Sequence, residues 1–259
     1  MKLSEPDSPQ KGTILSSSSF IDDESNNESK KLALITETDS CDNDLRLEES
    51  FTSIEKAVST GGVDLISIRV TSDNNDNIIK LAKKCMSLKT THPNLKVVIN
   101  DNIEAAYKAN VDGIHVKEKD VSKIPEIRQL FNDRNTLIGT SAHSINSALS
   151  TWRLYHPDYF FVGTCYLTQS HPEKTDVDQL EGPQLPGLIR KAIHEEFRTG
   201  QSKESSHAPP IVFAIGGINQ HNCWEPVSKF GADGVATIRA VLQASDPANV
   251  TMIMKKNMV

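Results

Sequence analysis

Beyond residue 31 the chain alternates short, almost wholly apolar runs with longer stretches in which apolar residues recur every three to four positions. The short runs are Leu32–Thr36, Asp64–Val70, Lys96–Asn100, Gly113–Val116, a run beginning at Leu137–Gly139, Tyr159–Gly163, Ile211–Ile215 and Gly234–Ile238. Rich in β-branched residues and without polar alternation, they read as strands buried on both faces. Between them Ser50–Thr60, Ile78–Leu88, Ile103–Ala109, Ser122–Phe131 and Ser144–Tyr155 carry helical spacing, the first closed by Gly61 and Gly62. Strict strand–helix alternation predicts parallel strands, and eight such units predict an α/β fold: a single (β/α)8 TIM barrel over residues 32–245. A flat doubly wound sheet is the runner-up.

The ends of the chain break the pattern. Residues 1–31 contain Ser16–Ser19, Asp22–Glu24 and Asn26–Glu28 with almost no apolar periodicity, and are expected to be a disordered acidic, Ser-rich extension. Residues 246–259 are expected to be a C-terminal tail, and Thr199–Pro210, TGQSKESSHAPP, a polar surface loop between the sixth helix and the seventh strand.

At 259 residues the chain has room for one barrel of the usual ~250 residues. A hydrophobic fraction of 37% and a mean hydropathy of −0.39 are low for a wholly packed chain and agree with a solvated extension. The first fifty residues hold 12 acids and 5 bases, more than the whole net charge of −6, so the remainder is near neutral and makes no case for nucleic-acid binding. MKLSEPDSPQ shows neither an apolar signal core nor an Arg-rich transit pattern, and no window approaches a membrane span. Cys41, Cys85, Cys165 and Cys223 have no CxxC spacing. Together these predict a soluble, cytoplasmic protein acting on small molecules, with a homo-oligomer left open.

Barrels carry their chemistry at the carboxyl ends of the strands. Those ends deliver Arg69, Asn100 and Asp101, Glu118 and Asp120, Ser141 and His143, the segment from Thr164, Gly216 and Gly217, and Arg239. Asp101 and Asp120, on neighbouring strand ends, could share one Mg2+ through oxygen ligands, with water and phosphate completing its shell. Arginine opposite them could take further phosphate charge through bidentate hydrogen bonds. In PIVFAIGGINQHNCWEPVSKFGADGVATIRAV the Gly216–Gly217 pair lets backbone N–H groups approach an anion, and Gly231, Asp233 and Gly234 read as a second unit of the same phosphate mouth. His143 could act as a general acid or base near neutrality, or simply hydrogen-bond the next helix start at Ser144. His115, on a buried strand, is expected to be packed.

The series VVINDN, DGIHVKEKD, IGTSAHS, DYFFVGT, FAIGGI and GADGVATIRAV resembles the thiamine phosphate synthase/TenI superfamily over Leu32–Leu242. The resemblance implies a Mg2+-dependent transferase that joins a hydroxymethylpyrimidine diphosphate to a thiazole phosphate, releasing pyrophosphate. It implies Asn100, Asp101 and Asp120 on Mg2+ and pyrophosphate, Arg69 and Ser141 on pyrophosphate oxygens, and Gly217 with the end of strand eight, including Arg239, on the thiazole phosphate. The chain departs from the family at two lysines: Gln-x-Arg-x-Lys reads Ser67-x-Arg69-x-Thr71, and Pro-Thr-x-Thr-Lys reads Leu167-Thr168-Gln169-Ser170-His171. Thr168 and Ser170 keep the hydroxyls, and Lys174, Lys117 or Lys119 could supply the missing charge. The superfamily also implies two alternatives, a metal-independent thiazole tautomerase using His143 and a noncatalytic phosphate-binding barrel.

Overall fold

The structure is a computed structural model describing residues 29–69, 71, 74–131, 135–200 and 207–259. The expected disordered extension, apart from its last residues, and the middle of the 199–210 loop lie outside the described residues.

Eight parallel strands close into a barrel in chain order: β1 (Lys31–Ile35), β2 (Leu65–Ile68), β3 (Lys96–Asn100), β4 (Gly113–Val116), β5 (Leu137–Ala142), β6 (Tyr159–Val162), β7 (Ile211–Ala214) and β8 (Gly234–Thr237). β1 pairs with both β2 and β8, Ala33 opposite Leu65 on one side and Ala236 on the other, and this closure excludes the open doubly wound sheet. Around the barrel lie α1 (Asp44–Val58), α2 (Asn75–Ser87), α3 (Ile103–Ala109), α4 (Ile124–Leu130), α5 (Ile145–Tyr155), α6 (Leu185–Thr199), α7 (Arg239–Leu242) and α8 (Pro247–Asn257).

Each strand alternates its side chains between two apolar layers, which is why the runs read as continuous. Leu32, Leu34, Ile66, Ile68, Val97 and Ile99 face the helices, whereas Ala33, Ile35, Leu65, Val98, Tyr159, Phe161, Phe213 and Ala236 fill the interior. Large rings on β6 and β7 are accommodated by small residues on the neighbouring strands, Gly139 on β5 and Ala236 on β8. A Cβ at Gly139 would collide with the Tyr159 ring.

Helix boundaries follow local capping. α1 begins at Asp44, six residues before the periodicity suggested, because the Asn43 side chain accepts the Arg46 N–H. Residues 118–123 form a 3-10 turn ahead of α4, where one helix from Ser122 was expected. The segment expected as a tail carries α8, capped by Asp246 and packed through buried Thr251 and Met254. Among the described residues no helix is long and apolar enough to cross a membrane.

The Gly231–Asp233–Gly234 unit is not part of a phosphate mouth. It lies at the start of β8, at the barrel end opposite the strand carboxyl ends. Asp233 accepts the Val212 N–H at 2.9 Å and pairs with Arg190. The device recurs before every even strand. Asp64 accepts from Leu32, Asp112 from Val97 and Asp158 from Ile138, at 2.7–2.8 Å, with Lys255, Lys89 and Arg128 as their cations. Each carboxylate satisfies an amide at the start of the preceding odd strand through a charge-assisted bond. These aspartates tie the barrel's amino-terminal rim together and leave the opposite end to the site.

Candidate active site

A cavity of about 930 Å³ opens at the carboxyl ends of the strands. Its wall includes Arg69, Asn100, Asp101, Ser141, His143, Thr168, Ser170, Gly216, Gly217 and Arg239, all singled out from the sequence. Asp120 and Lys174 are not on the wall.

Arg69 follows β2 and is fixed by its backbone. Its N–H donates to the Thr36 hydroxyl at 2.8 Å, and that hydroxyl donates back to the Arg69 carbonyl at 2.9 Å. Burial, and after it the nearby Arg239 guanidinium, lower the Arg69 pKa, while Asp101 acts in the other direction. Asn100 ends β3 with its Oδ1 accepting the Ser67 hydroxyl at 2.6 Å, so the serine at the family's glutamine position holds this side chain.

Asp101 sits at φ 55°, a left-handed conformation that aspartate tolerates better than most residues. Its N–H donates to the His115 carbonyl, and its carboxylate takes the Lys117 N–H at 3.2 Å and ammonium at 2.7 Å. Asp120 pairs with Lys123 at 2.7 Å, and that hydrogen bond holds its carboxyl below the usual range. The two pairs form one electrostatic cluster, since Asp101 also acts on Lys123 and Lys117 on Asp120. Among the described residues no three His, Cys, Asp or Glu side chains form a metal cage. Two carboxylates without sulfur or imidazole nevertheless suit Mg2+, a hard cation that keeps waters and phosphate oxygens in its shell. The donor set therefore fits the ion.

Below them lies a chain the sequence did not reveal as part of the site. Buried His115 joins the Tyr159 hydroxyl at 3.2 Å to the Ser141 hydroxyl at 3.1 Å and stacks on Phe161. Burial pushes its pKa down from 6.5 to about 4, with Asp101 opposing and Arg69 adding to the shift. The imidazole is thus neutral at pH 7 and orients Ser141.

This makes folding pH-dependent with a definite sign. The unfolded histidine gains a proton as pH falls through 6.5, whereas the folded one resists to about 4, so stability is full above 6.5 and lost between those values. The loss is about 3 kcal/mol on the scale of ~1.4 kcal/mol per pKa unit. Asp158, pushed up to about 6 by burial, gives an opposing slope in an overlapping range. The measurement is accordingly the difference in urea stability between wild type and His115→Gln from pH 7 to pH 4. Convergence of the two curves on acidification is expected, and parallel curves would refute the buried neutral imidazole.

The His143 Nδ1–H donates to the Gly163 carbonyl at 2.5 Å, and the ring stands between Glu181 at 3.5 Å and Glu118 at 3.8 Å. Lys174 does not line the cavity. Its ammonium is held by Glu181 at 2.7 Å, and that carboxylate also accepts the Thr164 N–H at 2.5 Å. Burial works to raise the Glu181 carboxyl, but the bonds from Lys174 and Thr164 outweigh it and the group lies below the usual carboxylate range. Glu181 was not legible in the sequence, since nothing in the polar 168–182 loop sets which way a side chain points. Lys117, not Lys174, lines the cavity.

Across the mouth, Gly216 at φ 98° and Gly217 at φ 65° turn the chain after β7. The Asn222 amide donates to the Gly217 carbonyl at 3.0 Å, and buried Thr237 to the Ile218 carbonyl at 3.0 Å. Among the described residues the Gly217 N–H has no acceptor. It is available to an anion.

Fold and site together define a (β/α)8 barrel whose strand carboxyl ends gather two arginines, a carboxylate–lysine cluster and a glycine turn around one cavity. Residues 32–241 match the family model described as thiamine monophosphate synthase, and the chain belongs to that family. It is 31% identical over 217 residues to the thiamine-phosphate synthase of Clostridium acetobutylicum, covering 82% of this chain and 91% of that protein. With the thiamine-phosphate synthase of Chloroflexus aurantiacus the identity is 29% over 197 residues, 76% and 80% of the two chains. The structure of a thiamine phosphate pyrophosphorylase from Pyrococcus furiosus matches with a TM-score of 0.67 at 24% identity, over 89% of this chain and 96% of that one, a likeness of fold.

Proposed function

We propose that the protein is a thiamine phosphate synthase, joining a hydroxymethylpyrimidine diphosphate to a thiazole phosphate. The observation that carries this reading is that one cavity gathers Arg69 and Arg239, the Asp101–Lys117 pair and the Gly216–Gly217 turn. Arg69, Asn100, Asp101 and Ser141 come from the ends of β2, β3 and β5, and the Gly216–Gly217 turn follows β7. The family membership and the relatives' names support the same reading.

On this reading the pyrimidine's diphosphate lies against Arg69 and Ser141, and the thiazole phosphate takes the Gly217 N–H. The methylene C–O bond breaks, its electron pair leaves with pyrophosphate, and the thiazole nitrogen lone pair forms the new C–N bond. Asp101 and Asp120 would hold Mg2+, which when bound neutralises charge on the leaving diphosphate. Arg69 contributes the same kind of stabilisation from a fixed backbone, where no reorganisation is needed as charge develops. Ile35, Phe161, Ile215 and Ile238 give the cavity an apolar wall for two flat rings, and holding them together lowers the entropic part of the barrier. The four buried free cysteines are in keeping with a reducing compartment such as the cytoplasm.

Incubation with both substrates and Mg2+ is expected to yield thiamine phosphate and pyrophosphate, detected by chromatography, and EDTA to stop it. No thiamine phosphate, together with EDTA-resistant isomerisation of the thiazole phosphate that is lost in His143→Ala, would replace this reading by the tautomerase.

A further inference from the structure

We propose that Lys117 is the lysine that bonds the diphosphate in this chain, standing in for the family's lysine at the position of Thr71, and that its ammonium and Mg2+ are alternative partners of Asp101. The inference rests on the reading above for the identity of the anion and of the metal. β3 pairs with β2 through Ile68 and Ile99 and with β4 through Asn100 and His115, so Asp101 is flanked by the residues that follow β2 and β4. Arg69 and Thr71 stand on one flank and Lys117 on the other, and all of them line the cavity with Asp101. The lysine has in effect crossed from one side of Asp101 to the other. Its backbone is fixed between the two aspartates, since its N–H donates to the Asp101 carboxylate at 3.2 Å and its carbonyl accepts the Asp120 N–H at 2.9 Å. Its side chain is 62% exposed and has room to swing.

The neighbouring lysines are committed elsewhere. Among the described residues Lys117 is the one lysine on the cavity wall. Lys174 is only 20% exposed and is bonded by both Glu181 oxygens and, at 3.5 Å, by the Thr164 hydroxyl, while Lys123 is held by Asp120. The Lys117 ammonium has one carboxylate contact, 2.7 Å to Asp101. That carboxylate is also the one whose chemistry suits Mg2+, and a divalent ion bonded to it repels an ammonium at such close range. Lys117 then needs another anion, and a flexible stem ending in a point charge lets it turn to one in the same cavity. Glu181 offers Lys174 no such exchange, because it does not line the cavity. A diphosphate against Arg69 is the anion within reach, since Arg69 is close enough to Asp101 for the two charges to act on each other.

The test is calorimetry on the full chain, titrating Mg2+ alone and then inorganic pyrophosphate at saturating Mg2+. Lys117→Gln is expected to move the two affinities in opposite directions. Mg2+ binding should tighten about two- to fivefold, the scale on which an exposed ion pair competes, and pyrophosphate binding should weaken about tenfold, the scale of a lost charge-assisted bond. A structural role for Lys117 would not split them. Thr71→Lys in the Lys117→Gln background returns a lysine to the family's position and should restore most of the pyrophosphate affinity. Thermal melting of each variant checks folding, and Lys117→Met replaces Lys117→Gln if the latter does not fold. The proposal is overturned if Mg2+ binding fails to tighten, if pyrophosphate binding holds, if the folded double variant recovers nothing, or if the wild type does not bind pyrophosphate. An equal loss of pyrophosphate affinity in Lys119→Gln, whose side chain is exposed and off the cavity wall, would reduce the effect to net charge and overturn it as well. Lys117-dependent pyrophosphate binding in a protein that forms no thiamine phosphate would sink the synthase reading and leave the role of Lys117 standing.

Discussion

Asp101→Ala is expected to lower thiamine phosphate formation by about 10²–10³-fold while the barrel remains folded, the scale seen when a group that stabilises developing charge is removed. Asp101 is not a packing residue. Among the described residues its carboxylate bonds only to Lys117, at 2.7 Å to the ammonium and 3.2 Å to the backbone N–H. Its backbone, by contrast, is held at φ 55°. A non-glycine residue there costs roughly 1–2 kcal/mol, and strain of this kind is kept where function requires the side chain. Two variants separate these contributions. Asp101→Gly relieves the backbone and should match or exceed the wild type in urea stability, Asp101→Ala should not, and both should be equally inactive. Asp120→Ala should lose turnover in the same direction, since its carboxylate shares the lysine cluster. Normal turnover in the Asp101 and Asp120 variants would overturn the assignment of the diphosphate half.

The residues that were legible in the sequence are those whose placement the backbone dictates. A strand buried on both faces has a recognisable run, and the residue at its carboxyl end faces the mouth whatever the loop beyond it does. Arg69, Asn100, Asp101, Ser141 and Gly217 all sit at such positions and all line the cavity. What a loop side chain does is decided by tertiary partners. Lys174 was expected to lend its charge to phosphate, but Glu181 holds it, and the two lie seven residues apart in a segment without periodicity. Asp233 shows a different failure. Gly-Ala-Asp-Gly has the composition of an anion-binding turn, yet it precedes its strand and therefore faces the opposite rim. The clue was present in the chain, because Asp64, Asp112 and Asp158 stand immediately before β2, β4 and β6 as Asp233 stands before β8. α8 escaped notice because its buried side chains are few and include a threonine.

The other large effect falls on the glycine turn. Gly217→Ala is expected to raise KM for the thiazole phosphate by about tenfold or more, to leave KM for the pyrimidine diphosphate within about threefold, and to destabilise the fold by roughly 2–4 kcal/mol. Two separate penalties act at this position. The φ of 65° is unfavourable for any residue with a Cβ, and that Cβ would lie 2.6 Å from the Leu167 carbonyl oxygen and 2.8 Å from the Tyr166 Cβ. Neither neighbour is the free end of a flexible side chain, so the turn itself must shift and carry the Gly217 N–H with it. Gly61 isolates the first penalty, since its φ is 71° and nothing lies within 4 Å of the position a methyl group would take there. Gly61→Ala should therefore cost about 1–2 kcal/mol and leave both KM values unchanged. If Gly217→Ala behaves as Gly61→Ala does, the turn is a chain reversal only and the thiazole phosphate is held elsewhere. A selective rise in one KM, beyond the shared loss of stability, is the result that assigns the Gly217 N–H to the phosphate that stays in place while pyrophosphate leaves.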